Sequence, residues 1–256
     1  MDIVPTETER RVIEAAATGA VLDLRFGHER MDDPAKGAIW RDERIIRAEV
    51  ITALCTEARP DWAVSAKGVA VAGLRILGHL DFVGGLIRYP LQLVGCSFEH
   101  PVEITGVRSA GLSFSGSYAA AFHADCIHVD GDAGFGVRTV EEVRLLEADV
   151  AGNLDFFGGR FLNPHGPALM ADRAKVKGSV RFLGEFRATG AVRLAQADIG
   201  GDLDCRDSRF SNAGGDAFVA DGAKVRGDLY MRDGFNATGQ VRLESVEVGG
   251  VCHFNW

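Results

Sequence analysis

The chain has 256 residues, a formal net charge of −8, 46% hydrophobic and 25% charged residues, a soluble globular composition that excludes a disordered chain. No apolar run approaches the ~18 residues of a membrane-spanning helix, and the polar start "MDIVPTETERR" lacks the core of a secretory signal, so a cytoplasmic location is expected. The acidic balance argues against nonspecific nucleic-acid binding through a basic face, and five cysteines without a CxxC pair argue against a disulfide framework or a zinc ribbon.

Residues 1–62 read as a helical cap. Thr6 and Glu9 form a capping box, Val12, Ile13, Ala15 and Ala16 supply an apolar face, and Gly19 is a stop. A second helix is expected in "WRDERIIRAEVITALCTEARP". Its apolar residues Ile46, Val50, Ala53 and Leu54 share one face, Glu43 stands four before Arg47, and Pro60 marks the end.

From residue 63 to 256 the periodicity changes to two and glycines recur every few residues. "FRATGAVRL" from Phe186 returns as "FNATGQVRL" from Phe235, 49 positions later. Within that interval the chain repeats twice. Val150, Val176, Ile199, Val225 and Val248 form a column with steps of 26, 23, 26 and 23, an average of 24.5 residues. Two before each stand Ala148, Ala174, Ala197, Ala223 and Val246; two after stand Gly152, Gly178, Gly201, Gly227 and Gly250. Upstream the pattern persists with looser spacing: "FHADCIHVDGD" matches "FVADGAKVRGD", and "LRILGHLDFVGG" echoes "ADVAGNLDFFGG". Alternation excludes helical repeats, and the unit is too short for a propeller blade of ~40 to 45 residues. A parallel β-helix of about eight coils fits, rising roughly 38 Å at ~4.8 Å per coil. In it the glycine column is a corner, where a residue without Cβ takes φ > 0 or lets the backbone bend sharply.

The outward position before the valine column reads His128, Asp149, Lys175, Asp198, Lys224, Glu247. Opposite charges stacked on neighbouring strands favour the register, and their alternation breaks the carboxylate row that a DNA mimic needs. Arg144, Arg193 and Arg242 each sit in a "VRL" two coils apart, so they line one face and form a candidate interaction surface. His123, Cys126 and His128 of "HADCIH" are of metal-binding types, but the repeat puts His128 on the outward ladder and Cys126 at a bend. Cys205 and Cys252 align with interior positions. Asp202, Asp204, Asp207 and Asp228 are the nearest approach to an acidic catalytic groove, and two of the four are repeat positions. There is no phosphate loop, GxSxG, HExxH or dinucleotide fingerprint, so no catalytic residue and no cofactor is assigned.

"VRLAQADIGGDLDCRDSRF", "AFVADGAKVRGDLYMRDGFNATGQVRL" and "WRDERIIRAEVITALC" together resemble a bacterial group of β-helical, pentapeptide-like repeat proteins. Members of that group are often labelled membrane-associated oxidoreductases. The resemblance implies a right-handed coil, which the columns alone leave open, and a natural protein that continues toward the inner face of a membrane. The 24.5-residue average departs from the 20-residue coil of strict pentapeptide proteins, some of which mimic DNA. The leading expectation is a noncatalytic scaffold or protein-interaction module. Its partner is another protein, or a second copy meeting an open C-terminal coil. A polysaccharide-binding or groove-enzyme β-helix, and an acidic topoisomerase-binding mimic, are the alternatives.

Overall fold

In the computed structural model, which describes residues 3–56, 59 and 61–255, the first helix forms as the sequence predicts. Helix α1 spans Glu7–Thr18; the Thr6 hydroxyl accepts from the Glu9 N–H, the Glu9 carboxylate accepts from the Thr6 N–H, and Gly19 closes it in the left-handed conformation at φ 69°. The second helix, α2, is shorter than its pattern. It covers only Ala48–Cys55, preceded by a 3-10 turn at Asp42–Arg44 and a strand at Ile45–Arg47. The β-branched pair Ile45–Ile46 is drawn into that strand because Arg75–Leu77 offers an edge to pair with, and tertiary pairing overrides a helical pattern. Arg47 then bonds Glu9 and Glu49 rather than the Glu43 expected from helical spacing, while Pro60 lies outside the described residues.

The rest is a right-handed parallel β-solenoid of about eight coils. Each coil crosses four faces, and all pairings between coils are parallel. One face is a ten-stranded sheet running from Val21–Asp23 to Cys252–Phe254, so the cap segment contributes its first strand. A second carries the valine column, with Val150, Val176, Ile199, Val225 and Val248 in direct register. The third runs from Val102–Glu103 to Asn236–Arg242. The fourth starts with Ile45–Arg47, Arg75–Leu77 and Ser97–Phe98, then continues through Tyr118 and Arg138 to Arg160.

The 24.5-residue average describes only the second half. Upstream, Leu91, Leu112, Ala133 and Leu154 stack at a constant 21 residues, so the spacing that reads as loose is tighter and regular. From Leu154 the steps to Val180, Leu203, Leu229 and Cys252 are 26, 23, 26 and 23. Two long strands, Arg160–Met170 and Ser208–Val219, take up the extra residues as bulges between Leu162 and Leu169 and between Ser211 and Phe218. Asn163 Nδ2 donates to the Pro167 carbonyl and Asn212 Nδ2 to the Asp216 carbonyl, locking both bulges alike. The coil above must clear them. It does so with Gly190 (φ 108°) and Gly239 (φ 122°), where a Cβ would lie 2.3 and 2.5 Å from the carbonyl oxygens of Asn163 and Asn212. The twice-written "ATG" is therefore the negative of a twice-written bulge.

The interior follows the coil size. Phe98, Phe114, Phe122 and Phe135 fill the smaller coils, and Phe156, Phe161, Phe182, Phe186, Phe210, Phe218 and Phe235 fill the wider ones. Edge-to-face pairs recur within each group, as between Phe161 and Phe186 at 5.2 Å, while Phe156 and Phe182 stack face to face at 4.8 Å.

Candidate functional site

The acidic group Asp202, Asp204, Asp207 and Asp228 sits on successive strands and turns, and the structure gives each carboxylate a scaffolding partner. Asp202 Oδ1 accepts the Asp228 N–H at 2.8 Å, and Asp228 Oδ1 accepts the Val251 N–H at 2.8 Å. Asp207 accepts the Glu185 N–H, and Asp204 binds Arg206 through both oxygens. Hydrogen bonds from the Val251 N–H and the Tyr230 hydroxyl hold Asp228 below the usual carboxylate range. A general acid needs the opposite shift.

Two of these aspartates belong to a longer ladder. Asp132, Asn153, Ser179, Asp202 and Asp228 occupy equivalent positions, and each side-chain oxygen accepts the backbone N–H of the next residue in the series. The ladder also explains the glycine column. Gly152, Gly178, Gly201, Gly227 and Gly250 are not at positive φ, contrary to one expectation for a corner. A Cβ on Gly227 would instead stand 2.1 Å from Asp202 Oδ1 and 2.8 Å from the Gly201 backbone; Gly152 meets Asp132 Oδ1 at 2.3 Å in the same way. Positive φ falls elsewhere, at Gly84, Gly106, Cys126, Glu147, Arg173, Gln196, Gly222 and Ser245, three residues before the valine-column position of each coil.

The charge ladder is in register as expected, with His128, Asp149, Lys175, Asp198, Lys224 and Glu247 stacked coil on coil. His128 Nδ1 lies 3.1 Å from Asp149, and Lys224 Nζ lies 3.6 Å from Glu247. Asp198 turns instead to Arg226 at 2.6 Å. In the next outward column Asp155 meets Arg181 at 3.8 Å, and Tyr230 stacks on His253 at 4.7 Å.

The "HADCIH" side chains do not converge. His123 faces Glu103 at 2.7 Å on the third face, His128 faces Asp149 and Asp130 on the second, and Cys126 is exposed at the left-handed corner. Among the described residues no three His, Cys, Asp or Glu side chains form a metal-binding group. Cys205 is buried in the core, and burial pushes its thiol well above the ordinary range. Cys252, expected to be interior, is exposed: it stacks on Leu229, but among the described residues no coil lies above it.

Arg144, Arg193 and Arg242 do line the third face two coils apart, with Met170 and Val219 between them. Each is bound to an aspartate of the coil below. Asp125, Asp172 and Asp221 accept from the guanidinium on one oxygen and from the N–H of Leu146, Ala195 and Glu244 on the other. These three repeated clamps tie coil to coil while leaving each arginine about a third exposed.

The fourth face holds a further column, which the valine and glycine columns do not reveal. Arg138, Arg160, Arg187 and Arg209 are directly opposed on four consecutive coils. Arg187 bonds Glu185 of its own strand entry, and Arg138 bonds Asp33 at 2.7 Å. Arg160 and Arg209 are exposed and, among the described residues, have no ion-pair partner. The signal was present: Arg138 and Arg187, like Arg160 and Arg209, are 49 residues apart, and "GRFLN" returns as "SRFSN".

No helix among the described residues is long and apolar enough to cross a membrane. No protein-family model, no curated protein and no solved structure matches the chain.

Proposed function

We propose that the protein is a noncatalytic scaffold, a rigid four-sided rod that presents charged faces to a protein partner. The observation that carries this reading is the fate of the acidic patch: Asp202, Asp207 and Asp228 each accept a backbone N–H of an adjacent coil, and Asp204 is closed by Arg206. One oxygen of each of the first three is engaged in holding coil to coil, and Asp228 is held below the usual carboxylate range, the opposite of what the general acid of a groove enzyme requires. The alternating ladder likewise gives no support to an acidic DNA mimic. Self-association of the rod belongs to the same proposal. Sedimentation over a concentration series tests that part, and a strictly monomeric protein at high concentration contradicts it. The resemblance adds attachment to a membrane-associated assembly in a longer natural protein.

The test is capture from the native cell with a photo-crosslinking residue placed on each of the four faces in turn. The scaffold reading expects a discrete protein cross-linked from one face and not from the others. It fails if no face yields a protein partner while the purified chain turns over an acidic polysaccharide in a manner abolished by Asp202→Asn or Asp228→Asn.

A further inference from the structure

The fourth face is the one place where the outward pattern departs from the rest of the molecule. On the second face charges alternate in sign from Asp149 to Glu247, the arrangement that favours folding. On the fourth, four arginines stand directly over one another in a chain whose net charge is −8. Like charges so placed oppose folding, and the middle and upper guanidiniums of Arg160 and Arg209 receive no compensating carboxylate among the described residues. Beside this row runs a second outward one, Leu162, Thr189, Ser211 and Thr238, which offers one apolar contact and three hydroxyls.

The chain itself shows what the row takes. Residues 24–44 cross the start of this face as a strap. Asp33, the N-cap of the 3-10 helix Pro34–Ile39, places Oδ1 2.7 Å from Arg138 Nη1. A carboxylate, carried by the extended residue that caps a short 3-10 helix, thus already occupies the first rung. A groove bounded by Glu29, Lys36, Arg138 and Arg160 leads from the strap to the second.

We propose that Arg138, Arg160, Arg187 and Arg209 form a docking rail for an acidic α-helix of a partner protein, lying along the solenoid axis and continuing from the position of Asp33. The inference rests on the interaction-module reading and names its partner class. The spacing decides between anionic chemistries. Successive rungs are ~4.8 Å apart, the distance between paired strands. Carboxylates at i, i+3 or i+4, and i+7 on one face of an α-helix advance about 5.3 Å per step at 1.5 Å per residue. Over three steps the two rows diverge by only about 1.5 Å, within the reach of flexible arginines. A nucleic-acid duplex carries one charge per ~3.4 Å of axis on each strand, and its phosphates wind around that axis instead of forming a straight row, which is a poorer match. The protein's own net charge also repels any long polyanion or anionic membrane as a whole, whereas a short acidic helix engages the local row. Guanidinium forks pair with carboxylates in two-bond geometry, and Thr189 and Ser211 are placed to donate to the outer oxygens.

The test uses the full chain and a fluorescent helical peptide of alanine and glutamate with its glutamates in one i, i+4 stripe. Its counterpart has the same composition, with the glutamates scattered around the helix. Anisotropy at low salt should show the striped peptide binding about tenfold tighter, with affinity falling as salt rises. Arg160→Glu with Arg209→Glu should abolish that preference. Lys175→Glu, on another face, should leave it unchanged. Circular dichroism of each variant confirms that the coil is intact. Equal binding of the two peptides, unaltered binding by the arginine variant, no binding of either peptide, or tighter binding to phosphatidylglycerol vesicles or an oligonucleotide would overturn the proposal. A partner cross-linked from a face other than the fourth would then leave the scaffold reading standing and remove only the acidic-helix rail.

Discussion

The 21-residue coils between Leu91 and Leu154 and the alternating 26- and 23-residue coils beyond Leu154 solve the same problem with different means. In the first region each face is a strand of two to four residues or, at Tyr118, a single bridge, and four phenylalanines suffice inside. The second widens by bulging one strand in every other coil. It then needs more phenylalanines to fill the core, seven in place of four, and a glycine above each bulge. The acceptor ladder from Asp132 to Asp228 crosses from one region into the other without interruption. Backbone satisfaction at that corner is thus independent of coil length.

The largest loss of stability is expected at the glycine column. Gly227→Ala drives a Cβ into Asp202 and the Gly201 backbone, and should destabilise by about 3 kcal/mol or more in urea denaturation. Gly111 of the small coils has nothing nearer than 3.8 Å, and Gly111→Ala should fall within about 0.5 kcal/mol of the wild type. Equal losses at the two positions would mean that the close approach is not what the column protects.

A smaller loss is expected along the acceptor ladder. Asp202→Ala strands the Asp228 N–H and should cost about 1 to 2 kcal/mol, while Asp202→Asn keeps an acceptor and should cost less than about 0.5 kcal/mol. If Asn proves as costly as Ala, the charge rather than the accepted hydrogen bond carries the contribution.

Among the described residues the carboxylates held below their usual range lie in residues 1–62, apart from Asp228, so acid should weaken the cap first. Burial raises the Glu9 pKa, but hydrogen bonds from Arg47 and Thr6 and the Arg47 charge outweigh it, so the carboxylate ends below its usual range. Asp32 is lowered likewise, burial being outweighed by the N–H groups of Phe26 and His28 and by Arg44. Folded-state values below the unfolded ones mean that this contribution is complete above the ordinary carboxylate pKa and is lost as pH falls through the lowered values. Fluorescence of the buried Trp40 and Trp62 should therefore change on acidification before the β-sheet signal does. Simultaneous loss would contradict a separately anchored cap.

The smallest effect is a gain. Gln196 holds φ 58° where other coils have glycine, and Gln196→Gly should stabilise by about 0.5 kcal/mol, read as a rise in melting temperature.

The coil architecture and inward columns were legible because stacking places chemically similar residues at fixed spacing. The capping box of α1 and the register of the charge ladder were legible for the same kind of local reason. The N-terminus of α2 was not, since Ile45 and Ile46 fit a helical stripe and an edge strand equally, and only the distant Arg75–Leu77 decides. Nor was the role of the glycines, which depends on an oxygen contributed by the previous coil. Arg144, Arg193 and Arg242 stood out because they share a conspicuous "VRL", yet each is bound to an aspartate below it. Arg160 and Arg209 sit in plainer surroundings, and their exposure follows from what is missing opposite them.

On the proposed rail, Arg160 and Arg209, the two arginines without an ion-pair partner among the described residues, serve recognition and not folding. Equilibrium unfolding of the double variant Arg160→Thr, Arg209→Thr measures this directly. Relief of like-charge stacking predicts stability unchanged or raised by up to about 1 kcal/mol. A loss of more than about 1 kcal/mol, the size expected for removing a stabilising contact, would contradict it.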